Sequence, residues 1–224
     1  MEKTDPILGE QVHQHLLSVG LETPMNYDQV QTPSPEKIKN IATHFTKIME
    51  ELGLDLTDDS LIDTPNRVAK MYTREIFQGL NYDFFPKCTR IENKLGENSS
   101  FVLERNINVQ SNCEHHFVVI DGKATVAYIP RKTILGLSKL NRIVQFFSKR
   151  PQVQERLTEQ ICEAIMFITG SEDVAVYIEG VHYCVKSRGI QDVTSSTMTL
   201  ATRGAFSTIN SELRREFLNS ARMR

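Results

Sequence analysis

The stretch Val174-Ala-Val-Tyr-Ile-Glu-Gly-Val-His-Tyr-Cys-Val185 reads as a β-strand, rich in β-branched residues and set off from what precedes it by Gly170. Side chains two apart on a strand point the same way. Val174, Val176, Ile178, Gly180, His182 and Cys184 therefore share one face. That face is apolar along most of its length and ends in an imidazole beside a thiol.

Working outward from this strand, two helical patterns precede it. Leu140, Ile143, Val144 and Phe147 recur at i, i+3, i+4 and i+7. Pro151 then opens a second helix, lined by Val153, Leu157, Ile161, Ile165 and Ile168 and closed by Gly170. Before the helices, 101–109 and 123–129 read as strands. After the quoted stretch, 194–202 is β-rich, and a last helix begins near Ser207 and carries Leu213 and Phe217. The order β-β-α-α-β-β with a trailing helix predicts an α+β fold, with the two paired helices on one face of an antiparallel sheet. Residues 1–100 read instead as an N-terminal helical region. A short leading helix is followed by a polar, proline-dotted segment from Thr23 to Pro35. Next comes a helix bearing Ile38, Ile41, Ala42, Phe45, Ile48 and Met49. Thr64 caps a further helix with Pro65 at its first position and Val68, Met71, Tyr72 and Ile76 on its apolar face, and Gly79 is its stop. The chain thus divides into 1–100 and 101–224.

Lys and Arg number 26 against 28 Asp and Glu, a formal charge of −2, so no global basic field points to nucleic acid. No run reaches the eighteen or so apolar residues of a membrane span. MEKTDPILGEQ lacks the basic start and apolar stretch of a signal peptide. The expected location is the cytoplasm, where Cys88, Cys113, Cys162 and Cys184 stay reduced and serve as ligands or core residues. Asn98-Ser-Ser matches a glycosylation acceptor, which without secretion has no consequence.

Ser111-Asn-Cys-Glu-His-His116 gathers a thiol, a carboxylate and two imidazoles in four consecutive positions. Cys113-x-x-His116 supplies two metal ligands, and zinc needs a third, with a fourth position left open for chemistry. Cys184 is the best third candidate, with His182 beside it for proton transfer. Spacing alone leaves a second reading open, in which all are unrelated core residues. Cys88 and Cys162 read as structural. Gly136-Leu-Ser-Lys-Leu-Asn-Arg142 opens the first paired helix, where Ser138, Lys139 and Arg142 suit a polyphosphate or form an ordinary solvated helix face. Arg188 follows the His-x-Cys strand. Gln154 and Glu155, at the start of the second helix, suit the N–H edge of a purine or are plain N-terminal helix composition.

Taken together, Cys113-Glu-His-His116, Gly136-Leu-Ser-Lys-Leu-Asn-Arg142, Gln152-Val-Gln-Glu-Arg-Leu157, Val181-His-Tyr-Cys-Val-Lys-Ser-Arg-Gly189, Thr194-Ser-Ser-Thr and Thr64-Pro-x-Arg-Val-Ala-Lys70-Met-Tyr resemble the GTP cyclohydrolase I family, in that family's order. The resemblance runs from about residue 36 to 220. It implies the tunnelling fold, in which sheets from several subunits close an oligomeric barrel, and a homodecamer of two pentameric rings with active sites at subunit boundaries. It implies conversion of GTP and water to 7,8-dihydroneopterin triphosphate and formate, the entry step to folate-type pterins. By the same resemblance, zinc falls on Cys113, His116 and Cys184, and His182 is the proton donor toward purine N7. His115 assists ribose opening, and Gln154 and Glu155 hold the guanine edge. Lys70, Ser138, Lys139, Arg142 and Arg188 surround the triphosphate, and Glu114 has no assigned role. A nitrile reductase of the same fold, a nucleobase deaminase and a zinc-stapled binding module are the rival readings. The first relies on a cysteine nucleophile and lacks this Cys-x-x-His plus His-x-Cys set. The second needs His-x-Glu with Pro-Cys-x-x-Cys, of which neither half is present. The third would fill the fourth zinc position with protein.

Overall fold

The computed structural model describes residues 3–94, 96 and 100–222, so Asn98 and Ser99 lie outside it. Four helices come first, α1 (Pro6–Ser18), α2 (Tyr27–Val30), α3 (Ser34–Glu51) and α4 (Thr64–Met71). They are followed by β1 (Arg90–Glu92), β2 (Val102–Cys113), β3 (Val119–Tyr128), β4 (Thr133–Leu135) and α5 (Leu137–Ser148). The remainder is β5 (Pro151–Gln152), α6 (Gln154–Thr169), β6 (Val174–His182), α7 (Tyr183–Lys186), β7 (Thr197–Thr202) and α8 (Glu212–Arg222).

The main sheet runs β5-β2-β3-β6-β7, antiparallel except for the short parallel β5. The helices α5 and α6 cover one face. Their apolar stripes (Leu140, Ile143, Val144 and Phe147; Leu157, Ile161, Ile165 and Ile168) are fully or almost fully buried against Ile107, Val109, Val126, Val176 and Ile178 of the sheet. Burying each such side chain contributes about 1.5–3 kcal/mol, so these two helices and three strands carry most of the core. Alternation sends Ala127, Ala175 and Tyr177 to the opposite face, where Phe206 and Phe217 of the C-terminal segment pack on them. The α+β layout with paired helices on one face therefore holds.

The N-terminal region enters the same core. Val12 and Leu16 of α1 are fully buried in it together with Tyr82 and Phe85. Arg150, fully buried at the end of α5, lies over the rings of Phe146 and Phe147 and donates to Glu22 at 3.2 Å and to the Gly79 carbonyl. A charge that deep is retained only with such partners.

Several boundaries differ from the sequence reading. The strand of the quoted stretch stops at His182, and Tyr183–Lys186 is a helical turn, so Cys184 does not continue the strand's alternation. The strand ends where its neighbour does, since His182 pairs with Ile120, one residue from the start of β3. Pro151 does not open a helix; with Gln152 it pairs in parallel with Asn112 and Cys113, and α6 starts at Gln154. Thr64 is the first residue of α4, with Asp63 in the cap position. Gly79 is not a helix stop: a Cβ there would stand 2.2 Å from the Phe146 carbonyl oxygen, so close backbone approach demands glycine. The last helix starts at Glu212, after Asn210 takes a left-handed φ of 64°.

Candidate metal and substrate site

Strands β2 and β3 form a hairpin whose register runs from Val102↔Tyr128 to Asn112↔Val119. Its turn is closed by two backbone bonds, Phe117 N–H to the Cys113 carbonyl and Cys113 N–H to the Val118 carbonyl, both 2.8 Å. Phe117 takes the left-handed conformation there, with φ of 54°. Cys113 is thus the last strand residue, buried, and His116 stands exposed in the turn. The helical turn after β6 brings Cys184 alongside. The candidate ligand atoms of Cys113, His116 and Cys184 all lie within 4.8 Å of one another, and no fourth Cys, His, Asp or Glu joins the group among the described residues.

Two thiols and an imidazole at that spacing fit a tetrahedral, thiophilic cation with one position free. Nδ1 of His116 is 3.9 Å from the Cys113 sulfur, while its Nε2 accepts from Arg188 Nη1 at 2.8 Å. Burial, reinforced by the Cys113 sulfur, pushes the Cys184 thiol up. The other two cysteines are different. Burial pushes Cys88 and Cys162 to about 12, which leaves them inert thiols.

The turn is also held from outside. The Glu114 amide donates to the Gln152 carbonyl at 3.0 Å, and its carboxylate receives Arg156 from the first turn of α6. The same guanidinium donates through Nε to Gln152 at 3.2 Å. Glu114 Oε1 lies 3.8 Å from His115 Nε2. Sequence reasoning left Glu114 without a role, and nothing in the local sequence reveals that Arg156 would reach it. Phe117 packs against Tyr72 and Phe77 at centroid separations of 6.2 and 5.2 Å, which seats the turn on the helical segment after α4.

His182 ends β6, half-buried. Its Nε2 is 2.8 Å from Gln154 Oε1, and burial holds its imidazole below the usual range although the nearby Glu155 carboxylate opposes that. Gln154 is almost wholly buried, 1% exposed, so its carboxamide does not face an open cleft. Glu155 is exposed and lines a cavity of about 520 Å³ with Arg156, Thr158 and Leu200. His115 is exposed and lines another of about 410 Å³ with Glu114, Phe117 and Pro151.

The basic set is dispersed within one chain. Ser138 is exposed and Lys139 and Arg142 half-buried, all in the first turns of α5. Arg142 lines a cavity of about 300 Å³ with Lys3 and Lys149. Lys70 is exposed on α4. Of the five basic or hydroxyl residues, Arg188 touches the cysteine–histidine cluster through His116; none of the hydrogen bonds or ion pairs among the described residues joins the other four to it.

Comparison with known proteins adds to this geometry. A family model described as GTP cyclohydrolase I matches residues 41–222. "GTP cyclohydrolase 1" of Yersinia pseudotuberculosis (strain IP 31758) is 54% identical over 213 residues, covering 95% of each chain. The protein of that name from Enterobacter sp. (strain 638) is 54% identical over 211 residues, 94% of each. Among solved structures, the apo form of the archaeosine synthase QueF-Like aligns with a TM-score of 0.41 at 18% identity, over 48% of this chain and 97% of that one.

Proposed function

We propose that this chain, which belongs to the GTP cyclohydrolase I family, opens the imidazole ring of GTP by hydrolysis, releases formate and rearranges the product to 7,8-dihydroneopterin triphosphate, the first step of folate-type pterin synthesis. The single observation that carries the chemistry is the convergence of Cys113, His116 and Cys184, with no fourth protein donor among the described residues. These three would hold a zinc ion, which would supply Lewis acidity and a water acidic near neutral pH.

The chain's own residues then divide the remaining work. His182 holds and delivers a proton to the ring nitrogen that leaves, a role suited to an imidazole near working pH. His115, exposed beside Glu114, serves the later ribose opening. Glu155 accepts from the N–H edge of the guanine, and Gln154 stands next to it at the start of α6. Ser138, Lys139 and Arg142 at the start of α5, with Lys70 and Arg188, bind the triphosphate through charge-assisted bonds and helix N–H groups.

Residues 101–224 form the catalytic tunnelling-fold unit behind the helical region 1–100. The scattered basic set supports a site shared between chains, since four of its members lie away from the cluster. The sheet supports the same reading. Strand β7 is an edge, and β2 is paired on its outer side only at Asn112 and Cys113. Unpaired edges invite strands from further copies. A homodecamer of two pentameric rings satisfies both features. The working location is the cytoplasm. No described helix is long and apolar enough to cross a membrane, and neither a membrane nor a nucleic acid is a partner in this reading. The test is incubation with GTP, with and without chelator, followed by oxidation and pterin fluorescence. Fluorescence that depends on a stoichiometric metal supports the reading, and a metal-replete protein that leaves GTP intact overturns it.

A further inference from the structure

The bonds around Gln154 fix which way its carboxamide faces. Its Nε2 donates to the Ile178 carbonyl at 3.2 Å, to the Thr197 carbonyl at 3.0 Å and to Thr199 Oγ1 at 3.1 Å. Swapping oxygen and nitrogen would set the amide oxygen against two carbonyl oxygens, so the orientation is determined. The hydroxyls agree. Thr158 Oγ1 donates to the Gln154 carbonyl at 2.8 Å, which spends its hydrogen; Thr199 must then donate across the 2.6 Å contact to Thr158, leaving its own oxygen free to accept from Gln154. What remains is Gln154 Oε1, an acceptor, 2.8 Å from His182 Nε2.

Gly180 makes room for this arrangement. A Cβ at that position would stand 2.8 Å from Gln154 Oε1 and 3.3 Å from Ile120 Cγ2. A glycine within a paired strand weakens it, and here its absent side chain is where the carboxamide lies.

We infer that Gln154 is a positioning residue for His182: its carboxamide accepts the Nε2 proton, fixes the ring's tautomer and rotation, and leaves Nδ1 as the nitrogen that exchanges a proton with the substrate. Nδ1 makes no hydrogen bond to any described residue. This differs from the purine-edge role that the family resemblance implies for the Gln154 side chain, because all of its polar atoms are already engaged inside the protein. The inference deepens the proposed function and rests on it for the substrate's part, whereas the hydrogen bond stands without it.

The experiment has two arms. In the first, the zinc-loaded chain carrying 15N-labelled histidine is read by one-bond and long-range 1H–15N spectra, with His182→Ala identifying the resonance among six histidines. The unsubstituted chain should show the proton on Nε2 of His182, and Gln154→Leu should lose that signature. In the second arm, Gln154→Leu should lower kcat roughly 10- to 100-fold, the range for losing an orienting partner. The KM for GTP should stay within about twofold, and discrimination against inosine and xanthosine triphosphates should be unchanged. The Gln154→Leu/His182→Ala pair should be no slower than His182→Ala alone. A neutral His182 ring whose proton sits on Nδ1, with Nε2 bare, overturns the inference, as does a raised KM with relaxed base choice, or additive losses in the pair. Should Gln154→Leu fail to fold, Gly180→Ala displaces the carboxamide by contact and is held to the same outcomes. The unsubstituted spectrum needs neither variant. A chain that turns over no GTP would sink the proposed function, while the nitrogen spectrum would still read the hydrogen bond.

Discussion

The hairpin turn at Cys113–His116 and the first turn of α5 both carry candidate site residues, yet they are built in opposite ways. The hairpin turn is tied down on every side: backbone bonds close it, Arg156 grips Glu114, Phe117 seats it on two aromatic rings, and Cys184 comes up from the helical turn after β6. The start of α5 presents Ser138, Lys139 and Arg142 without any bond to that cluster. In the proposed reading, the three groups that would hold the metal converge within one chain, whereas Ser138, Lys139 and Arg142, which would hold the triphosphate, do not reach them. Rigid ligands suit a small cation that tolerates little displacement, whereas a long polyphosphate can be met by groups carried on another subunit.

The largest expected effect tests the completeness of the first region. Replacing Cys113, His116 or Cys184 with Ser or Ala should each abolish stoichiometric zinc and with it pterin formation, since two ligands hold zinc far more weakly than three. Elemental analysis of purified protein decides it. Cys88→Ser and Cys162→Ser should keep full zinc, because Cys162 is buried and Cys88 half-buried outside the cluster, and burial pushes both thiols up to about 12. Zinc retained by a Cys184 variant would break the contrast at once.

The incompleteness of the second region is tested by mixing. A charge-assisted bond is worth about 1.5–3 kcal/mol, so Arg142→Ala should raise the KM for GTP at least tenfold while zinc stays bound. Reassembling that variant with Cys184→Ser should recover part of the lost activity if the two residues serve one site from different chains. Light scattering should show a particle many times 25.6 kDa. A fully active monomer would end the shared-site reading.

Next in size is the clamp on the turn. Glu114→Ala, or Arg156→Ala, should weaken zinc binding about 10- to 100-fold, as loss of groups supporting metal ligands typically does. The pair should be non-additive, since each removes the same contact. Competition with a chromophoric chelator measures this. Unchanged zinc affinity in both variants would make the ion pair a bystander.

How much of this was legible beforehand depends on the range of the interactions involved. The stripes of α5 and α6 and the alternation of β6 are written in residues a few positions apart, and the α+β order follows from them. The end of β6 was not legible, because Tyr183 and Val185 suit a strand as well as a turn; only the start of β3 opposite His182 ends the pairing. Pro151 looked like a helix start because its strand partners lie 39 residues earlier, in the 112–113 segment. Strand alternation points to Cys184 beside Cys113, whereas the helical turn after β6 is what brings it there. The partners of Gln154, at 178, 182, 197 and 199, are brought near only by the folded sheet, so its burial is not written in the local sequence.

The smallest expected effect concerns the strain that shapes the turn. Phe117 holds a left-handed φ of 54°, which costs a non-glycine residue about 1–2 kcal/mol. The residue is 48% exposed, so its compensation comes chiefly from contacts with Tyr72 and Phe77, each worth about 0.5–1.5 kcal/mol beyond buried area. Phe117→Ala removes the contacts and keeps the strain. Phe117→Gly removes both, at some added entropy in the unfolded chain. The glycine variant should therefore be more stable than the alanine variant by about 1 kcal/mol and lie close to the parent, with zinc content unchanged in all three. Thermal unfolding of the three zinc-loaded proteins at one concentration measures the order. If alanine matched or exceeded glycine, the turn would not be holding Phe117 against its backbone preference, and its rigidity would rest on the Glu114 clamp and the strand pairing alone.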